Sequence, residues 1–115
     1  MSKSDIQFLK HIKEETEFII EFTSTISEEE FLENRLLKKA MVRCFEIIGE
    51  ATKQVDFDFR MKYNSIAWKE MAGLRDKLIH DYTGVDYNLL WLIISDNIPE
   101  LDFQIEQIIK EHINI

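Results

Sequence analysis

Arg75, Asp76, His80, Asp81 and Tyr82 gather polar chemistry into one short stretch of the chain. Arginine and histidine together suit a phosphodiester. A guanidinium grips phosphate oxygens bidentately and stabilises the charge that builds on them, while an imidazole moves a proton to or from oxygen. In RNA the neighbouring 2′-hydroxyl can be the nucleophile, so neither a metal nor a covalent intermediate is required. Other chemistries find less to work with. No hydroxyl, thiol or lysine triad surrounds His80, which leaves acyl transfer without a clear nucleophile. His11, His80 and His112 are far apart and lack ligand spacing, so neither a histidine metal site nor any other cofactor is expected.

Spacing sets the geometric problem. Asp76 and His80 are four residues apart, so on a continuous helix they share a face and the carboxylate can hold the imidazole's tautomer. Arg75 lies five residues before His80, about 140° round an ideal helix from it. One copy of the segment therefore does not focus both groups on a single atom. Completion across a symmetric dimer, or a distorted helix end, would solve this. Spacing alone is more often met by surface charges at Arg75 and Asp76, a satisfied helix-end histidine and a tyrosine that only packs.

The elements that must hold this stretch read as helices. Phe8, Leu9, Ile12, Phe18, Ile19 and Phe22 recur at three- and four-residue steps and predict an amphipathic helix over 4–23. Ser27 and Glu30 form a capping-box pattern ahead of Phe31. A long second helix is expected over about 30–55, with Leu37, Ala40, Met41, Cys44, Phe45, Ile48, Ala51 and Val55 on one stripe. Gly49 interrupts that stripe and predicts a helix passing close by, and Cys44 reads as a small core residue. A short turn over 59–63 leads to a third helix over 66–81, capped by Asn64 or Ser65 and closed by Thr83-Gly84. Asp86 caps a last helix with a kink or a break near Asn97-Ile98, ahead of Pro99. No strand is expected, and Trp68, Trp91 and the phenylalanines are assigned mainly to the core. The fold class is all-α, an antiparallel up-and-down bundle of four main helices plus a short one.

Composition agrees. At 115 residues, 45% hydrophobic and 31% charged, the chain fits a single domain spanning 1–115 with a real core. A single cysteine excludes an internal disulfide framework. With no signal-peptide run and no membrane-length apolar window, a soluble cytoplasmic protein without membrane contact is expected. The net charge of −8 counts against a protein that coats nucleic acid non-specifically. That average hides an asymmetry. Residues 1–34 carry 3 basic and 9 acidic side chains, residues 78–115 carry 1 and 7, and residues 35–77 carry 10 and 6. The middle segment could form a confined basic surface, with Lys38, Lys39 and Arg43 as possible RNA contacts, although each alone is more often a solvated surface charge.

The stretch from Trp68 through Leu74-Arg75-Asp76-Lys77-Leu78-Ile79-His80-Asp81-Tyr82 to Asp86 resembles the signature of the HepT-like toxins, a branch of the HEPN-domain ribonucleases. Upstream, Phe45-Glu46-Ile47-Ile48-Gly49-Glu50-Ala51 resembles the family's second-helix motif, and the likeness covers about residues 5–110. The resemblance implies a HEPN-like bundle that pairs into a homodimer and acts as a metal-independent endoribonuclease on an RNA substrate. It implies Arg75 and His80 as the catalytic pair. It also implies a toxin–antitoxin role with an MntA-like nucleotidyltransferase as antitoxin, which silences the toxin by AMPylation of Tyr82. Many relatives carry asparagine after the motif arginine. Here Asp76 stands in that place, able to support His80 or to weaken binding of a polyanion. With the acidic balance, that departure motivates an alternative: a non-catalytic dimeric adaptor that binds a nucleotidyltransferase.

Overall fold

The computed structural model describes residues 3–80 and 84–113. Its helices are α1 (Lys3–Thr23), α2 (Glu28–Glu33), α3 (Arg35–Gln54), α4 (Phe57–Lys62), α5 (Trp68–Ala72), α6 (Leu74–Leu78), α7 (Tyr87–Asp96) and α8 (Ile98–Ile113). A short antiparallel ladder, β1 (Ile79–His80) and β2 (Gly84–Val85), lies between α6 and α7. The protein is an all-α bundle: α1 packs against α3 and α8, α3 against α5 and α6, and α7 against α8.

Leu9, Ile12 and Ile19 bury the stripe of α1 completely, whereas Phe18 and Phe22 stay on its rim and stack on each other at 4.6 Å. Phe57 and Phe103 are also exposed, so the phenylalanines divide between core and surface. Trp68 is buried and donates through Nε1 to the Tyr63 carbonyl at 3.0 Å; Trp91 is half-buried against Phe31. Lys13 ties α1 to α8 through Asp102 at 2.9 Å and Glu106 at 3.1 Å, and Thr16 donates to the same Asp102 at 2.7 Å. Burial pulls the Lys13 ammonium pKa down, but its hydrogen bonds to the two carboxylates and their charges outweigh burial and hold it above its ordinary value.

The expected second helix is two. The capping box forms: Ser27 Oγ accepts from the Glu30 N–H and the Glu30 carboxylate from the Ser27 N–H. The helix it starts ends at Glu33. Asn34 is extended, closes α2, and caps α3 by accepting from the Leu37 N–H at 3.0 Å. A single residue leaves helical geometry there, so the apolar rhythm hardly registers it. The turn expected over 59–63 is the helix α4, begun two residues earlier.

The expected helix over 66–81 also divides. It starts at Trp68 after Ala67, without a side-chain cap from Asn64 or Ser65, and Gly73 separates α5 from α6. α6 ends at Leu78, and Ile79 and His80 run extended against Val85 and Gly84, where no strand was expected. Gly84 takes a φ of +152°, a conformation that suits glycine. The Asp86 N–H donates to the Leu78 carbonyl at 2.9 Å and fixes the return of the chain. Asp86 then caps α7 by accepting from the Leu89 N–H, as expected. The last path breaks at Asn97, and Pro99 falls in the first turn of α8, where a missing N–H costs no helical bond. Thr83 lies outside the described residues. Among the described residues no helix is long and apolar enough to cross a membrane.

Candidate functional site

The site begins at Gly49. A Cβ built there would meet the Met71 carbonyl oxygen at 3.4 Å and the Ala72 carbonyl oxygen at 3.7 Å, so α5 lies with its backbone directly against α3. This is the close passage that the glycine predicts. It places α6, which follows α5 after one residue, beside the same face of α3 one turn earlier. There Arg75 Nε on α6 meets Glu46 Oε2 on α3 at 3.4 Å. The other carboxylate oxygen of Glu46 lies 4.0 Å from Arg43 Nη1. Glu46 thus sits between two of the arginines that the sequence marks as candidates.

Arg75 itself is exposed. Its neighbours on α6 turn elsewhere: Leu74 and Lys77 line a groove of about 280 Å³ between the α5–α6 segment and α7–α8, with Met71, Ile93, Asn97 and Leu101. Arg75 turns toward α3, away from that groove.

Downstream of Arg75 the chain leaves the helix within one turn. His80 is described by its backbone, extended in β1 and paired with Gly84. The shared helical face assumed for Asp76 and His80 is therefore absent, because α6 stops two residues before the histidine. Asp76 is exposed on α6. Because α6 ends at Leu78, the ideal-helix angle between Arg75 and His80 does not apply to this backbone. Asp81 and Tyr82 lie outside the described residues.

The three basic candidates on α3 separate. Lys39 and Arg43, four residues apart, share one exposed face. Lys38 turns toward α7, where its ammonium lies 4.6 Å from the centre of the Tyr87 ring. Arg43 also borders a groove of about 240 Å³ with Phe8, His11, Ile47, Glu50 and Gln54. Cys44 on the opposite side of α3 is buried. Burial, then the charge and hydrogen bond of Glu15, push its thiol up to about 12, which makes it a core residue and no nucleophile.

Sequence reasoning passed over Glu46, although it stands inside the Phe45–Ala51 stretch. The available signal was an acid set among bases, three residues after Arg43 and one turn before Gly49. Its partner is 29 residues away in sequence, a distance no local pattern spans.

A family model described as Ribonuclease HepT-like matches residues 12–108. The chain belongs to the HepT-like family. Among curated proteins it is 49% identical over 112 residues to "Putative RNase MJ1216" of Methanocaldococcus jannaschii, covering 96% of this chain and 93% of that protein. It is 46% identical over 109 residues to "Putative RNase TTE0752" of Caldanaerobacter subterraneus subsp. tengcongensis, covering 95% and 97%. "Probable ribonuclease HepT" of Thermococcus cleftensis is 43% identical over 110 residues, covering 96% and 100%. No solved structure matches the chain. The HepT-like match takes in both stretches that meet at the Glu46–Arg75 contact.

Proposed function

We propose that this HepT-like chain is a metal-independent endoribonuclease, the toxin of a toxin–antitoxin pair, with Arg75 and His80 as its catalytic residues. The observation that carries the reading is an exposed Arg75, oriented by α3, five residues ahead of a histidine that the chain holds in extended backbone instead of on the same helix. Arg75 takes the phosphate oxygens and stabilises the negative charge that accumulates on them. His80 takes the proton of the 2′-hydroxyl as that oxygen bonds to phosphorus. The P–O5′ bond breaks, the leaving oxygen receives a proton, and the products are a 2′,3′-cyclic phosphate and a 5′-hydroxyl. Asp76, on the exposed face of α6, supports His80 by its charge.

A homodimer sets two copies of this segment at one cleft, so that one histidine can accept a proton while the other gives one up. Lys39 and Arg43 extend the basic surface along which RNA lies, and Lys38 contributes beside Tyr87. An MntA-like nucleotidyltransferase transfers AMP from ATP to the Tyr82 hydroxyl, whose oxygen bonds the α-phosphorus as pyrophosphate leaves and the hydroxyl proton is lost. The toxin is silenced because phosphate and adenosine two residues from His80 add charge and bulk where RNA enters. The cytoplasm is the compartment for this pair, and 1–115 works as one HEPN-like domain. The exposed acid Asp76, beside the arginine, favours a second reading, a non-catalytic dimeric adaptor for the nucleotidyltransferase.

The test compares RNA with DNA of the same sequence as substrate for the unmodified protein, with EDTA present. The expected result is cleavage of RNA alone, leaving cyclic phosphate ends. Equal cleavage of DNA, or loss of cleavage in EDTA, would contradict the mechanism; an unmodified dimer that cuts nothing and still binds the nucleotidyltransferase would establish the adaptor.

A further inference from the structure

We propose that Glu46 is a positioning residue for Arg75, holding its guanidinium by the Nε edge so that the two terminal amino groups face the scissile phosphate. The proposal rests on the ribonuclease reading above. A guanidinium has two edges able to make paired hydrogen bonds, one from Nε and a terminal nitrogen, the other from the two terminal nitrogens. The described contact uses Nε, at 3.4 Å from Glu46 Oε2. The terminal edge stays outside that contact, so one guanidinium can be held by the protein and hold a phosphate together.

Three observations separate this role from an incidental surface pair. Glu46 is the less exposed partner, at 28% against 54% for Arg75, so it is the anchor and the arginine the held group. The helix that bears it is brought within reach by the backbone contact at Gly49, which fixes the separation of α3 and α5. Arg43 Nη1 lies 4.0 Å from the other oxygen, near enough for its charge to offset that of the carboxylate beside the phosphate site. Exposed ion pairs add little to stability, so the contact is not explained by holding the fold together. A carboxylate that merely competed with RNA for Arg75 would be expected on the terminal edge.

The test pairs kinetics with a direct view of the contact. With Glu46→Ala, kcat for RNA cleavage is expected to fall about 10- to 100-fold, as for other losses of orientation, while KM stays level or drops because a negative charge has gone. Glu46→Gln keeps an oxygen acceptor and is expected to retain most of kcat. Melting temperatures should match the wild type, which separates this split from damage to the fold. In NMR, the Arg75 Nε–H, assigned with Arg75→Lys, should be shifted and slow to exchange in the wild type and should join the exposed arginines in Glu46→Ala. An unchanged or raised kcat in Glu46→Ala, or an Nε–H signal indifferent to Glu46, would overturn the proposal. Wild-type protein that cuts no RNA would instead remove the ribonuclease reading, and the Nε–H comparison would still decide whether Glu46 holds Arg75.

Discussion

Cys44 shows how one environment sets the chemistry of a residue. Its thiol is 4% exposed, in contact with the Glu15 carboxylate, and pushed up to about 12 from an ordinary value of 9.0. The folded protein then holds that proton more tightly than the unfolded chain. Stability from this group is fully present below pH 9.0 and declines as pH rises from there toward about 12. Urea titrations of wild type and Cys44→Ala should show a steeper alkaline loss in the wild type; parallel curves would contradict the assignment. Lys13, whose ammonium is also held above its ordinary value, loses its contribution on the same alkaline side in both proteins. At this scale the sequence was readable wherever the partner is near. Ser27 with Glu30, and Asp86 with the first turn of α7, are contacts over three residues. Glu46 with Arg75 spans 29, and the packing of α5 and α6 on α3 brings them together.

Among the elements, the helices that carry the site owe their separation to Gly49. Alanine there removes a helix penalty of about 1 kcal/mol but sets a methyl at 3.4 Å from the Met71 oxygen, at the edge of ordinary contact. Gly49→Ala should therefore leave stability within about 1 kcal/mol of wild type. Gly49→Leu must push α5 away, at a cost of about 1–3 kcal/mol, and should weaken the Arg75–Glu46 contact with it. Denaturant midpoints of the two variants check this, and a leucine tolerated as well as alanine would show that the helices are not in backbone contact. Four main helical paths were legible from apolar periodicity because most of each path is regular. Their breaks at Asn34, Gly73 and Asn97 were less so, with only the last announced by a proline. A break of one residue barely disturbs a pattern of period 3.6. The β1–β2 pairing was hidden for another reason: two residues per strand are too few to alternate, and Ile79 extends the apolar pattern of Leu74 and Leu78.

For the whole molecule, the charge is uneven along the chain, and the acidic α1 packs against α8 on one side and the more basic α3 on the other. The acidic segments supply α1 and α8, which pack on one another, while α3 and α6 carry Lys39, Arg43 and Arg75. Under the proposed function RNA would meet the exposed Lys39, Arg43 and Arg75, and a local excess of base over residues 35–77 makes a net charge of −8 compatible with a polyanionic substrate. In the proposed function His80 moves the proton in RNA cleavage. The most direct test of that role is cleavage of an RNA panel by wild-type protein and His80→Ala, both shown by intact mass to carry no AMP and by circular dichroism to be folded alike. Cleavage by the wild type and a loss of at least about 10²-fold in the variant is the predicted result. Equal rates in the two proteins would contradict it.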